Sequence, residues 1–306
     1  MNNNAPRTIE EYLRQLRAAL AEQDPALIQD ALYDAEEYLR AEIATHSGKS
    51  EADVLELIAS TYGAPDEVAA AYRDTEIKVA AALRPPPKPR SRHALARFFG
   101  IFTDGRAYAG LLFMLFSLAT GLLYFIVTVV GMSLSVGLAV LIVGVPFFLA
   151  FIGVTRVLAL VECRLVEAVS GVRMPRRPQH PGAPQGFWAR VRSMLVDART
   201  WTTLAYNVLM LPIGITYFVL AIVGVSVSFA LIAAPIANAV AALGGFGHDS
   251  VFLHGDFHLE PHWMNSPVGL VLCFLVGVVL LTVTLHVSRA ITRGHAVLAK
   301  SMLVLP

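Results

Sequence analysis

Cysteine is nearly absent from this chain of 306 residues, which has two, Cys163 and Cys273. Both sit in or beside apolar runs, so no disulfide framework is implied. Charge is scarce too, at 15% of residues, and the centres of the long apolar runs hold no Asp, Glu, Lys or Arg. An ion-coupled transporter normally keeps ionisable groups at that depth, which argues against that class. No Walker A loop, Gly-x-Ser-x-Gly elbow, His-Glu-x-x-His zinc motif or kinase signature occurs, so the commonest nucleotide and hydrolase chemistries have no foothold. The start, Met1-Asn2-Asn3-Asn4, leads into a charged helix and not an apolar core, so no cleavable signal peptide is expected.

What is present is grease, unevenly charged. Apolar residues make up 56% of the chain and mean hydropathy is +0.59, values of a membrane protein. The net charge of +1 hides a division. Residues 1–83 hold 16 acidic and 7 basic side chains, and residues 84–306 hold 7 and 17. An acidic head is a poor binder of phosphate backbones, so direct nucleic-acid binding is not expected.

Residues 8–83 read as three or four short helices in a small soluble bundle. Ile9, Tyr12, Leu13, Leu16 and Leu20 make one apolar stripe at helical spacing. Asp24-Pro25 is a cap followed by proline at the first helical position, and Ser50 with Asp53 forms a capping box. Gly63 stops one helix and Pro65 opens the next. The stretch Arg84-Pro85-Pro86-Pro87-Lys88-Pro89-Arg90 is a stiff, extended linker, and its charges suit an anionic cytoplasmic leaflet. Phe98, Phe99 and Phe102 then mark a short interfacial segment.

Four spans follow, near 108–130, 134–158, 203–223 and 268–287, with a tight turn expected at Gly131-Met132-Ser133. Each is close to the roughly 20 residues that cross about 30 Å of hydrocarbon. The apolar stretch 225–243 reads as a re-entrant segment broken at Pro235, with Asn238 facing protein or water. Eight arginines lie between Arg156 and Arg199, while 243–267 has no Lys or Arg. The positive-inside rule therefore puts both termini in the cytoplasm and 243–267 outside.

Two stretches match at a fixed offset of 93 residues. Asp104, Arg106, Leu111, Leu118, Gly121, Tyr124, Phe125, Gly131, Ser133, Ser135 and Leu138 recur as Asp197, Arg199, Leu204, Leu211, Gly214, Tyr217, Phe218, Gly224, Ser226, Ser228 and Leu231. Tyr108 answers Trp201, and Arg156 finds an echo in Arg289 after an insertion of about 40 residues. A duplicated hairpin explains this economically. Tyr124/Tyr217, Gly131/Gly224, Ser133/Ser226 and Ser135/Ser228 are then candidates for close helix packing and interhelical hydrogen bonds.

The expected outer loop concentrates ligand-type side chains. His254, Asp256, His258, Glu260 and His262 alternate, so an extended strand would project all five from one face. Imidazole with carboxylate suits Zn, Cu or Ni, but neighbours on that face stand about 7 Å apart, so one ion would take only two without folding of the loop. A solvated strand with Phe257 and Leu259 against the bilayer is the plain alternative. No other cofactor is implied.

Two family patterns are recognisable. Leu13-x-x-Leu16, Asp34-x-Glu36-Glu37-Tyr38 and Tyr62-Gly63-Ala64-Pro65-Asp66-Glu67-Val68-Ala69-x-x-Tyr72 resemble the HAAS signalling domain, a helical module often found beside PadR-like winged-helix regulators. Trp201-x-x-Leu204-x-Tyr206, Leu211-Pro212-x-Gly214, Gly144-x-Pro146 and Glu162-x-Arg164 resemble the membrane domain of the putative sensor family, without the kinase region of its kinase-linked members. The expected architecture is all-α: a helical head over 1–83, a linker over 84–97, and a membrane domain over 98–306. The last divides into repeats 98–187 and 188–306. The resemblance implies a non-enzymatic sensor or relay in the bacterial cytoplasmic membrane, its partner a PadR-like regulator. Charge points independently the same way, since an acidic head attracts a basic protein. A permease-like or accessory subunit for a hydrophobic or lipidic substrate is the alternative, a metal-dependent enzyme using the histidine loop a remoter one, and homo-oligomerisation stays open.

The charge asymmetry predicts that cysteine reporters at Ser91, Ser170, Ser250 and Ser301 label as inside, inside, outside and inside. A cytoplasmic Ser250 would reverse the orientation.

Overall fold

The structure, a computed structural model, describes residues 5–46, 48–82, 94–140, 144–177, 187–243 and 266–304. Among these every regular element is helical. Four short helices form the head: α1 Ile9–Ala19, α2 Pro25–Thr45, α3 Glu51–Thr61 and α4 Pro65–Ala82. Their ends follow the local chemistry. The Asp24 carboxylate accepts the Ala26 N–H at 2.9 Å, and the Ser50 hydroxyl accepts the Asp53 N–H at 3.2 Å. Gly63 adopts φ +109°, which only glycine takes easily, and its carbonyl accepts the Tyr12 hydroxyl at 2.8 Å. Tyr12, Leu16 and Leu20 pack with Leu32 and Leu39 of α2 and with Val54, Leu55 and Ile58 of α3. Each such buried side chain contributes about 1.5–3 kcal/mol.

Next come α5 Ala94–Phe99, a 3-10 turn Gly100–Thr103, α6 Gly105–Gly137, a 3-10 turn Leu138–Val140 and α7 Gly144–Ser170. The rest is α8 Phe187–Val196, α9 Ala198–Leu243 and α10 Pro267–Leu303. Helices α6, α7, α9 and α10 are long and apolar enough to cross a membrane. Large apolar side chains such as Leu112, Phe116, Val154, Phe229 and Val271 lie exposed along them, as lipid-facing residues do. The chain therefore has an all-α, polytopic membrane domain with four spans.

Two details differ from the sequence expectation. Helix α6 does not turn at Gly131-Met132-Ser133 but runs on to Gly137. Gly131 serves contact instead: a Cβ there would lie 2.2 Å from the Phe151 ring. The expected re-entrant segment 225–243 is a continuous part of α9, unbroken at Pro235. Membrane helices tolerate proline where neighbours satisfy the backbone. The Asn238 amide folds back onto its own helix, donating to the Ala234 carbonyl at 3.0 Å.

The chain gathers into two compact units. One combines the head with 128–206 and 297–306, and the other combines 90–127 with 207–296. In the second unit α6 and α9 meet reciprocally. A Cβ on Gly121 would fall 2.3 Å from the Met210 carbonyl oxygen, and one on Gly214 would fall 2.2 Å from that of Ser117. Met210 and Gly214 are the residues 93 places after Ser117 and Gly121. A Cβ on Gly224 would lie 2.8 Å from the Thr284 side chain in the same unit, and Tyr217 packs edge-on against His295. Tyr124 is buried. The serine hydroxyls do not make the expected interhelical bonds, although Ser135 and Ser228 are buried. Ser135 and Ser228 donate within their own helices, to the Gly131 carbonyl at 2.7 Å and the Gly224 carbonyl at 2.6 Å, while Ser133 and Ser226 are exposed.

Gly214→Ala should lower stability by about 2 kcal/mol, because two backbones must separate to admit the methyl group. Gly153→Ala, where a Cβ meets nothing within 4 Å, should be neutral. Thermal unfolding in detergent compares them, and equal melting of the two variants would deny the close crossing.

Candidate functional site

The positions where each spanning pair begins are built alike. Asp104 caps α6 by accepting the Arg106 N–H at 3.2 Å, and Asp197 caps α9 by accepting the Arg199 N–H at 3.0 Å. Tyr108 donates to the Phe102 carbonyl and Trp201 to the Leu195 carbonyl, again 93 residues apart. Each capping carboxylate meets an arginine on the second helix of the other pair: Asp104 with Arg289 of α10 at 2.6 Å, and Asp197 with Arg156 of α7 at 3.6 Å. Nearby, the Tyr206 hydroxyl donates to Glu162 at 2.9 Å, and both side chains are fully buried.

In the unit that contains the head, the segment after α7 lies across α2. Gly171 takes φ +70° and releases the chain from α7. Residues 172–177 then follow the acidic helix. Asp30, 6% exposed, accepts the N–H groups of Arg176 and Arg177 at 2.7 and 2.8 Å, and its other oxygen meets the Arg173 guanidinium at 3.3 Å. Arg173 also pairs with Glu76 of α4. Arg177 reaches Asp34 at 2.9 Å and covers the Tyr33 ring. Met174 is fully buried. Further along, Lys300 near the end of α10 holds Asp24 at 2.5 Å.

Burial pushes the Asp30 carboxyl above its ordinary range, and the two N–H groups and Arg173 pull it back. Burial likewise pushes the Tyr72 hydroxyl up, and that hydroxyl donates to Asp34 at 3.3 Å. The half-exposed pairs, Arg177 with Asp34 and Lys300 with Asp24, are screened and contribute little each. The buried one matters more, because removing Arg173 would leave a desolvated carboxylate without its counter-ion.

Gln29 joins this clasp to a cavity. Its amide nitrogen donates to the Arg177 carbonyl at 2.7 Å, and its oxygen accepts from the Arg199 guanidinium at 2.8 Å. Beside it lies a cavity of about 80 Å³, with Thr155, Arg156, Arg199, Thr200 and Thr203 among its lining residues.

Several motif residues prove to hold the fold. Tyr38 stacks on Tyr62 at 4.3 Å, Glu36 pairs with Arg40, and Leu204 sits with Phe151 and Ile152. The candidate metal ligands His254, Asp256, His258, Glu260 and His262 lie outside the described residues, among which no cluster suited to a metal occurs. In the sequence Arg173, Arg176 and Arg177 stand out only as topology charges. Their partner lies more than 140 positions earlier, and nothing local announces it.

A family model described as "Putative sensor" matches residues 113–303, the spanning helices and the segment that clasps the head. No curated protein and no solved structure matches the chain.

Arg173→Ala should weaken head docking by about 3 kcal/mol, and Asp30→Asn, which keeps an acceptor for the two N–H groups, by about 1–2 kcal/mol. Hydrogen exchange on the full-length protein should rise over 172–177 while the amides of Leu16 and Leu39 stay protected. Unchanged exchange over 172–177 in both variants would show that the clasp carries no energy.

Proposed function

The chain belongs to the "Putative sensor" family, and from that premise we propose that it is a non-enzymatic relay of the bacterial cytoplasmic membrane. Both termini lie inside, and the helical head reports the state of the membrane domain to a cytoplasmic protein. The observation that carries this reading is the clasp on Asp30. It couples the head to the segment that leaves α7, so a shift of α7 changes how firmly the head is held. The reciprocal glycine contacts and repeated caps support a duplicated hairpin as the sensing frame. Such a frame, with close-packed backbones, has discrete arrangements and not a continuum of them.

The head's resemblance to the HAAS module supports a PadR-like regulator as the partner. Docking consumes Asp24, Asp30, Asp34 and Glu76 but leaves Glu37, Glu56, Asp66, Glu67 and Asp74 exposed, with Tyr38 and Leu57 open among them. That surface suits a basic partner with some apolar contact.

Full-length protein in nanodiscs should bind the PadR-like regulator of the same genome. Arg173→Ala should change the affinity about tenfold or more by freeing the head, and Glu37→Gln with Glu56→Gln and Glu67→Gln should weaken it in a salt-dependent way. Affinity indifferent to all four substitutions, or no binding at all, sinks the relay.

A further inference from the structure

The cavity beside Gln29 is built from groups that receive anions. Two arginines, Arg156 and Arg199, face one carboxylate, Asp197, which is already engaged by the Arg199 N–H and by Arg156. Thr200, 7% exposed, has a buried hydroxyl with no hydrogen-bond partner. Leaving such a group unpaired carries a desolvation cost that a ligand oxygen would relieve. Thr200 also sits in the first turn of α9, where the helix dipole favours negative charge, its own N–H and that of Arg199 being engaged by Asp197.

The corresponding place in the other unit shows what the same frame does without these groups. Ala107 and Gly110 occupy the positions 93 residues before Thr200 and Thr203, and Ser288 follows Thr155 by the 133 residues that separate Arg289 from Arg156. There the Ser288 hydroxyl donates to the Ala107 carbonyl at 2.9 Å, and a Cβ on Gly110 would lie 2.7 Å from the Thr292 hydroxyl. Alanine and glycine close the gap. Two threonines open it and line it with hydroxyls.

We infer that this cavity binds a phosphate-type anion, supplied by a free phosphate or by the headgroup of an anionic lipid, and that the anion competes with Gln29 for Arg199. Arginine presents a fork that matches phosphate oxygens, so a charged ligand outbids a neutral amide. Gln29 then loses its hold at one end while its other end still donates to the Arg177 carbonyl beside Asp30. Occupancy therefore loosens the clasp from its Gln29 side. This second part rests on the relay reading, and the site itself does not.

The test uses full-length protein in phosphatidylcholine nanodiscs, titrated calorimetrically with inorganic phosphate, and in parallel its melting in nanodiscs containing phosphatidylglycerol. Saturable phosphate binding identifies the free anion. Stabilisation by phosphatidylglycerol alone identifies the headgroup. In either arm Arg199→Gln should abolish the signal, and Thr200→Val, which keeps the shape, should weaken binding about tenfold. Gln29→Ala should tighten it several-fold by releasing Arg199. No signal in either arm, or one that Thr200→Val and Arg199→Gln leave unchanged, overturns the site. Binding that Gln29→Ala does not tighten overturns the competition while the site stands.

Discussion

Hydrocarbon supplies no hydrogen bonds, so every backbone N–H and C=O at membrane depth must be satisfied within the chain. That requirement makes α6, α7, α9 and α10 long unbroken helices, and it keeps Pro212 and Pro235 inside α9 instead of at its ends. It also removes the usual reason for helices to associate, because lipid tails are as apolar as leucine. What remains is close approach. Gly121 against Met210, Gly214 against Ser117 and Gly131 against Phe151 are places where even a methyl group has no room. The Ser135 and Ser228 hydroxyls satisfy themselves on the preceding turn, while Ser288 of α10 bridges to the Ala107 carbonyl of α6, so missing side chains and a few polar bridges share the contact.

Polar chemistry is thereby concentrated at the helix ends and beyond. Asp104 and Asp197 cap the first helix of each pair, and an arginine on the second helix of the other pair neutralises each of them. Past Gly171 the chain carries positive charge that the acidic head complements. Of the many charges there, few are buried, and desolvation ranks them. Asp30 is held by two N–H groups and a guanidinium, which fixes the register of 172–177 on α2 more firmly than the exposed pairs can. A sensor needs such an element, strong enough to hold one state yet dependent on few contacts.

Much of this was legible beforehand. The head's helices began and ended where Asp24-Pro25, Ser50, Gly63 and Pro65 placed them, since capping chemistry acts within four residues. The four spans followed from hydropathy. Glycine misled once: Gly131 looked like a turn and is a contact, because absence of a side chain serves both purposes and only a neighbour, here Phe151, decides between them. Pro235 misled similarly, its water-solvent meaning not carrying into an apolar helix. The clasp was illegible because Asp30 and Arg173 are ordinary surface charges until folding buries them together.

By itself the sequence determined that this chain is an all-helical membrane protein with an acidic helical head and matching segments 93 residues apart. Those properties depend on composition, period and local caps, which need no knowledge of neighbours. Tertiary structure alone decided which matching residues touch, why one Ala-Gly site is closed while its Thr-Thr counterpart is a cavity, and which of sixteen acidic side chains in residues 1–83 is the buried anchor. These are properties of desolvation and contact, and they exist only once distant segments have excluded water from between them.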